Sequence, residues 1–304
     1  MRRQLWIGLA SGIAVVVGLG VVVWAGGQGL LGPHGAARRL LLTGQRAAQQ
    51  GQWAQAQSAL EHLVQTYPDS PVTDQALWQL GQVYEQQQRA TDARTIYQTV
   101  LERFPRSLLL AQTQARLGQI NVALLFSPTV TDLDAIYEVQ VGDTLAKIAQ
   151  RHQTTIELLK RANGLSADVI RLHQKLKMPK GRFGIVIDKS QNQLLLTEED
   201  HFFKMYPVAT GHDNSTPVGT FKIVNKLANP VWYRQGAVVP PDSPENILGT
   251  RWLGFDKQGY GIHGSVDPSG IGHQVTAGCV RMHNSDVEEV FAIVPTGTEV
   301  TIVD

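Results

Sequence analysis

The sequence contains a single cysteine and almost no excess of either charge. It has 304 residues, with 27 Lys and Arg against 26 Asp and Glu, so its formal net charge is +1. One cysteine cannot form an internal disulfide, and the common cysteine-based zinc sites need at least two thiolates. The balanced charge gives no global electrostatic reason to expect nucleic-acid binding. With 43% hydrophobic residues, the chain has enough apolar material for two or three domains, which excludes disorder over its whole length.

A long uncharged segment follows Arg2 and Arg3. Leu5–Ala25 is 21 residues without a charged side chain, long enough to cross a hydrocarbon core of about 30 Å as a helix. We therefore predict a signal anchor over residues 1–26, with its N-terminus in the cytoplasm and the later domains outside the membrane. A cleaved signal peptide is the alternative, although Trp24–Gly27 is a poor match to an A-x-A-like cleavage site. Because no cysteine lies near the end of this segment, lipoprotein anchoring is excluded.

Residues 33–126 have a helical pattern that repeats every 37 residues. This shift aligns Gly44, Gly81 and Gly118, each followed by glutamine. Each unit predicts helix, turn and helix, with glycine where two helices approach closely and proline ending the second helix. The pattern resembles the tetratricopeptide repeat of bacterial envelope proteins, lengthened by three residues. The resemblance implies an all-α array whose concave surface binds an envelope protein, and a spacer that lifts later domains off the membrane is the alternative.

Residues 137–181 predict a small βααβ module. Apolar alternation leads into a turn at Gly142, and Asp143 or Thr144 would cap the helix that follows. A second helix ends at Asn163, and a short apolar run supplies the closing strand. The order is therefore strand, helix, helix, strand.

This module resembles the LysM domain through its V-x-x-G-D-T-L-x-x-I-A run. The resemblance implies binding of a glycan that contains N-acetylglucosamine, such as peptidoglycan. The implied groove lies between the turn of Gly142, Asp143 and Thr144 and the loop from Asn163 through Ile170. A capping role alone is the alternative for Asp143 and Thr144, and the two roles are compatible because a cap leaves backbone polar groups near the groove.

From residue 182 to 304 the pattern changes to short apolar runs separated by turn residues, which is typical of a β-rich domain. Strands are predicted at Gly184–Ile187, Gln193–Thr197, Phe202–Tyr206 and Glu299–Val303. The sequence therefore predicts a third folded domain, 182–304, which is mainly β-sheet.

The single cysteine lies in this domain, downstream of an I-H-G run. Cysteine attacks carbonyls as the thiolate, so it needs a base or cation nearby and amide N–H groups directed at the developing oxyanion. His263 is the suitable base, because imidazole titrates near neutral pH and pairing with it would lower the pKa of the Cys279 thiol. Gly264 has no side chain, so its backbone carbonyl is the expected group that orients the imidazole. Gly278 would let the backbone turn closely at the nucleophile, and a packed, inert thiol is the alternative.

The I-H-G run and the downstream T-x-G-C-V-R-M run together resemble the YkuD-type L,D-transpeptidases, over residues 182–304. By this resemblance, Cys279 is the nucleophile, His263 is the general base and Gly264 supplies the orienting carbonyl. The resemblance implies a multidomain enzyme with a transmembrane helix, helical repeats, a LysM module and a β-rich L,D-transpeptidase domain.

Three further residues are implied at the substrate site, namely Arg281, Thr276 and Gly278. Arg281 would hold a stem-peptide carboxylate in its fork of donors, and a structural ion pair is the alternative. Thr276 would order the loop before the nucleophile. One departure is Ala277, which stands where the family often has histidine, so assistance by a second motif histidine is absent.

These resemblances imply an enzyme of the bacterial cell envelope that acts on peptidoglycan stem peptides and glycan strands. The thiol would attack the amide of the third stem residue, release the terminal D-alanine and pass the acyl group to an amine, which forms a 3→3 cross-link. Neither a metal nor an organic cofactor is expected, because a thiolate and an imidazole suffice for this chemistry. The alternatives are a hydrolytic L,D-carboxypeptidase or cross-link-cleaving enzyme of the same fold, and an inert peptidoglycan-binding scaffold.

Overall fold

The computed structural model describes residues 32–234 and 236–304. The chain divides into two compact units, a first that ends at Ile120 and a second, Asn121–Asp304. The predicted anchor at Leu5–Ala25 lies outside the described residues. Across the two described ranges, every helix is too short or too polar to cross a membrane.

Helix–turn–helix pairs form the first unit, as the repeat predicts. Gly44 and Gly81 lie where paired helices touch: a Cβ on Gly44 would approach Leu60 Cγ to 2.7 Å, and one on Gly81 would collide with the ring of Tyr97. A larger residue at either position would force the helices apart. The helices are α1 (Pro33–Gln49), α2 (Trp53–Thr66), α3 (Thr73–Gln86), α4 (Ala90–Arg103) and α5 (Leu110–Leu125), the last of which contains the unit boundary.

The second unit begins with the small module, which has the predicted order of strand, helix, helix and strand. Its elements are β1 (Asp134–Glu138), α6 (Leu145–Arg151), α7 (Ile156–Ala162) and β2 (Lys175–Pro179). The apolar alternation predicts a strand that runs into Gly142, but β1 ends earlier, at Glu138. Its antiparallel pairing with β2 stops there, at the pair Glu138 and Lys175. The residues after it form a turn, in which the Gln140 N–H donates to Asp143 Oδ2 at 2.9 Å.

An eight-stranded sheet follows, with the strand order β13-β11-β10-β7-β14-β3-β4-β5. The pairs β14/β3 and β11/β13 are parallel, and the other neighbours are antiparallel. The four predicted strands are found within β3, β4, β5 and β14. The strands of this sheet are β3 (Phe183–Asp188), β4 (Gln193–Glu198), β5 (His201–Pro207), β7 (Gly219–Ala228), β10 (Arg251–Phe255), β11 (Gly261–His263), β13 (Val280–Arg281) and β14 (Glu299–Val303).

Two short strand pairs lie outside this sheet. Strand β6 (Thr210–Gly211) pairs parallel with β12 (Gln274–Thr276), just before the cysteine loop. Strands β8 (Trp232–Arg234) and β9 (Ala237–Val239) pair antiparallel. These pairs extend the β-rich character of the domain beyond its main sheet.

One hydrophobic core joins the small module to the sheet domain. It contains inward-facing residues of the sheet, residues of α8 (Asn284–Ile293) and Leu158 of α7, which is 1% exposed. The Thr155 hydroxyl at the start of α7 also donates to the Ala292 carbonyl. Burying a leucine side chain contributes about 1.5–3 kcal/mol, so Leu158 alone couples the two parts measurably.

Candidate active site

Four neighbouring strands of the large sheet carry the candidate active site. Across β7, β10, β11 and β13, Leu227 pairs with Trp252, Trp252 with His263, and His263 with Arg281. Paired residues point to one face of a sheet, and residues two positions apart along a strand share that face. Cys279 precedes Arg281 by two positions. The pairing therefore places the imidazole and the guanidinium on the same face, and Cys279 lies in the bend just before β13.

A cavity of about 550 Å³ opens over this face. Cys279, His263, Arg281 and Thr276 all line it, so the fold brings together four residues that the sequence singles out. The walls are largely aromatic and aliphatic, and they include Trp232, Tyr233, Ile247, Leu248, Trp252 and Tyr260.

The imidazole of His263 is buried and held by its neighbour. Its side chain is 2% exposed, and Nδ1 lies 2.7 Å from the Gly264 carbonyl oxygen. A carbonyl only accepts, so Nδ1 carries the proton in this contact and Nε2 is left as the acceptor. Burial lowers the pKa of His263 to about 4, with a contribution from the positive Arg281, against opposing hydrogen bonds to the backbone of Gly264 and Ile247. The imidazole is therefore neutral at neutral pH.

The thiol of Cys279 is half-buried and lies 3.4 Å from the Gly259 carbonyl oxygen, to which it donates. Burial raises the pKa of the thiol, although a backbone hydrogen bond from Gly261 and the charge of Arg281 oppose the increase. The sequence-based expectation of a lowered thiol pKa is therefore wrong for this conformation. Pairing with a charged imidazole would have lowered it, but the buried His263 is itself neutral.

The loop before the cysteine depends on Thr276 and Gly278. The Thr276 hydroxyl donates to the Cys279 carbonyl oxygen at 2.6 Å and accepts from the Gly278 N–H at 3.2 Å. Gly278 has a φ of +132°, and a Cβ there would lie 2.9 Å from Cε1 of Tyr260. Both the backbone conformation and the close approach of the ring require glycine at this position.

Arg281 is available to a ligand. Within residues 32–234 and 236–304 it makes no ion pair, and its Nε is buried without a hydrogen-bond partner. Its charge acts on three neighbours, since it lowers the pKa values of His263, Cys279 and Asp267. The structural ion pair considered as the alternative for Arg281 does not form among these residues.

Asn284, the first residue of α8, supports the site and was not singled out by the sequence. Its Oδ1 accepts from the Thr250 N–H at 3.1 Å and from the Ser265 N–H at 3.0 Å. It also packs against Gly249 and Gly264, where a Cβ would collide with Oδ1. Asn284 therefore fixes the segment that presents the Gly264 carbonyl to the imidazole. Its position shortly after the cysteine motif, at the start of a helix, is the only local signal for it.

The residues predicted to bind glycan have mainly structural contacts in the small module. Asp143 Oδ2 accepts from the Tyr137 hydroxyl at 2.6 Å and from the Gln140 N–H, while Arg151 pairs with its other oxygen. The exposed Thr144 caps α6 by accepting from the Lys147 N–H at 3.2 Å.

The other predicted glycan residues lie at the turn and in the loop after α7. Gly142 occupies its turn with a φ of +81°. Asn163 Nδ2 donates to the carbonyls of Leu159 and Lys177, so both of its amide hydrogens are used. Ile170 is half-buried against the core of the module. Among these residues, Gly142 and Thr144 are the most accessible to a ligand.

Metal-ligating side chains are scattered in the part of the chain that the structure describes, where no group of three or more His, Cys, Asp or Glu could hold a metal ion.

Comparison with known proteins identifies all three folded regions. Residues 182–302 match the family model of the L,D-transpeptidase catalytic domain (YkuD), residues 137–179 match the LysM domain, and residues 41–107 match a tetratricopeptide repeat. These matches confirm the three resemblances drawn from the sequence.

Individual relatives agree with the catalytic-domain match. A putative L,D-transpeptidase YkuD of Bacillus licheniformis is 39% identical over 175 residues, which cover 55% of this chain and 98% of the relative. A putative L,D-transpeptidase YqjB of Bacillus subtilis is 38% identical over 126 residues, covering 40% and 70%. Among solved structures, an L,D-transpeptidase from Mycobacterium tuberculosis matches with a TM-score of 0.35 at 14% identity, over 45% of this chain and 75% of that one.

The burial of the thiol predicts its response to pH. We expect the rate of Cys279 carbamidomethylation by iodoacetamide to keep rising up to and beyond about pH 9. The thiolate is the reactive form, and burial raises the pKa of this thiol above the value of about 8.5 for a free thiol. Intact-mass measurements from about pH 6 to about pH 10 report only this residue, since the chain has one cysteine. N-acetylcysteine in the same buffers is the control. A rate that is already constant at neutral pH would contradict the raised pKa.

Proposed function

The chain belongs to the L,D-transpeptidase family, and we propose that it joins peptidoglycan stem peptides through an acyl-enzyme on Cys279. The observation that supports this most is the cavity that the Cys279 thiol, the buried His263 imidazole and the Arg281 guanidinium line together, where Arg281 makes no ion pair within residues 32–234 and 236–304. Thiol, base and cation are the groups that acyl transfer by cysteine requires.

In the proposed acylation, Cys279 Sγ attacks the amide carbonyl at the L-centre of the third stem residue. The thiol proton passes to His263 Nε2, because Nδ1 already donates to the Gly264 carbonyl. The protonated imidazole then gives this proton to the departing amine, and D-alanine leaves as the C–N bond breaks. The product is a thioester between Cys279 and the shortened stem.

In the second step, an amine from another stem attacks the thioester. His263 takes a proton from that amine, the C–S bond breaks, and the thiol regains its proton. A 3→3 cross-link results, and the enzyme returns to its neutral starting state. Transfer to the amine rather than to water requires that the bound acceptor, together with the apolar and aromatic walls of the cavity, keeps solvent from the waiting thioester.

Arg281 is the proposed anchor for a stem-peptide carboxylate. Its guanidinium lines the cavity and makes no ion pair within the described ranges. A bidentate contact would fix the stem relative to the thiol. Thr276 and Gly278 hold the loop that carries the nucleophile, so their proposed roles are indirect.

The LysM and L,D-transpeptidase matches indicate association with the cell envelope. We further propose that Leu5–Ala25 anchors the chain in the cytoplasmic membrane, with the catalytic domain on the outer side. The uncharged length of this segment and the two arginines before it support this topology.

The reaction is tested by incubating the protein with disaccharide-tetrapeptide and analysing the products by mass spectrometry. We expect a dimer that is lighter than two substrates by one alanine, and none with Cys279→Ala. His263→Gln should slow dimer formation by about 100-fold or more, in the range of general-base contributions. His273→Gln is the matched control, because His273 is exposed and lies outside the residues that line the cavity. Tripeptide monomer would support the hydrolytic alternative, and unchanged substrate without a thioester adduct would support the inert scaffold.

Glycan binding by the LysM module is tested by co-sedimentation with peptidoglycan sacculi. In a Cys279→Ala background, Thr144→Asp should weaken binding, because it places a charge at the proposed groove while aspartate still caps α6. Thr129→Asp adds the same charge on an exposed linker residue and should bind like the parent. Equal pelleting of both variants would place the glycan contact elsewhere.

The proposed topology predicts that protease added to intact spheroplasts digests the catalytic domain. Immunoblotting of this domain before and after lysis makes the measurement, and a cytoplasmic protein serves as the control for intact cells. Complete protection of the catalytic domain until lysis would overturn the proposed orientation.

A further inference from the structure

Trp252 lies beside the candidate base in a fixed arrangement. The two residues are directly paired across β10 and β11, and their rings are stacked with centroids 6.1 Å apart and planes 23° apart. Both side chains line the cavity. The indole therefore borders the imidazole inside the candidate active site.

Two glycines make room for the indole. Gly254 and Gly261 pair across the same two strands. A Cβ on Gly254 would lie 2.7 Å from Trp252 Nε1, and a Cβ on Gly261 would lie 2.9 Å from its Cζ2 and Cη2 atoms. The indole thus occupies the space above this glycine pair, which other residues would fill with their own side chains.

A hydrogen bond also fixes the edge of the indole that carries Nε1. Trp252 Nε1 donates to Oδ1 of Asn225 on β7 at 3.0 Å, and Asn225 pairs with Gly254 in the sheet. The ring is therefore held by the glycines below it and by a hydrogen bond at its edge. This leaves it little freedom to rotate away from His263.

A fixed indole constrains the imidazole that stacks on it. Hydrogen bonds to the backbone of Gly264 and Ile247 hold the edge of the imidazole, and the stacked indole adds a contact to its face. Stacked aromatic pairs contribute this kind of orientation, and an indole face also attracts the positive charge that forms when the imidazole accepts a proton. Without this attraction, the positive charge would form in a buried site with less to stabilise it.

We propose that Trp252 is a positioning residue of the acyl-transfer site, which holds the ring plane of His263 and favours its protonated form during acylation. Asn225 acts through the indole, at a distance from the imidazole. The inference rests on the proposed function, since it assumes that His263 accepts the thiol proton.

The first experiment measures kcat and KM for the disaccharide-tetrapeptide in four variants. We expect Trp252→Leu to lower kcat about 10- to 100-fold with KM changed less than about threefold, because a misplaced catalytic group slows the chemical step. Trp252→Phe retains a ring and should recover most of the loss, and Asn225→Ala, which releases the indole N–H, should fall in between. Val224→Ala, an exposed residue next to Asn225 that does not line the cavity, is the matched control. Loss of substrate affinity with unchanged kcat would make Trp252 a substrate contact and overturn the proposal.

The second experiment is a double-mutant cycle that needs no substrate. Iodoacetamide rates of Cys279 are measured at fixed pH in the parent, Trp252→Leu, His263→Gln and the double variant. If Trp252 acts through the imidazole, its substitution slows alkylation in the parent but changes it less than about twofold once His263 is replaced. An equal effect in both backgrounds would overturn the inference even if the acyl-enzyme forms. Absence of the acyl-enzyme with coupling intact would instead refute the proposed function alone.

Discussion

The parallel pairing of β11 with β13 is the constraint on which the site depends. It aligns His263 with Arg281 and brings Cys279 to the same cavity, although a long segment separates the two strands in the chain. Parallel strands need such a crossover, and because these strands are only three and two residues long, both of its ends lie near the site: Gly264 leaves β11 and the cysteine loop enters β13. Asn284 then fastens the first of these ends through its bond to the Ser265 N–H. The register of two short strands therefore sets the relative positions of the candidate base and the cation, and it brings the candidate nucleophile next to them.

Burial acts on the two reacting groups in opposite directions, and both effects favour neutral forms. It lowers the pKa of His263 to about 4 and raises the pKa of Cys279, because each charged form loses hydration. The resting site therefore holds a thiol and an imidazole without charge separation. Arg281 opposes the charged imidazole but favours the thiolate and a negative oxyanion. Negative charge is thus stabilised by Arg281 where the proposed reaction would develop it, whereas the positive charge on the imidazole is not.

Local motifs predicted the candidate catalytic residues, which the fold brings to one cavity, whereas the residues that support them depend on pairing between distant segments. Cys279 and His263 each lie in a short sequence motif that indicates a catalytic role. Four strands of the domain were also predicted from their apolar residues and found in the structure. Trp252 and Asn284 act through strand register and through the packing of α8, which no local pattern encodes. The direction of the thiol pKa was missed for the same reason, since it depends on how deeply the cavity buries the residue. In the LysM module, apolar alternation continued past Glu138, but the turn bonded by Asp143 ends the strand there.

The LysM module and the catalytic domain share one hydrophobic core, and this limits how far the two can move relative to each other. Leu158 of α7 is buried in the sheet domain's core, and Thr155 both caps α7 by accepting from the Leu158 N–H and donates to the Ala292 carbonyl. In the closing strand β2 of the module, the buried Lys177 ammonium donates to the carbonyls of Leu124, at the end of α5, and of Ser127, which follows it. Separating the module would expose an apolar side chain and leave buried polar groups unpaired, at a cost of several kcal/mol by order of magnitude. Under the proposed function, a glycan held by the module would be presented at a fixed distance from Cys279, and binding would select which stem peptides reach the thiol.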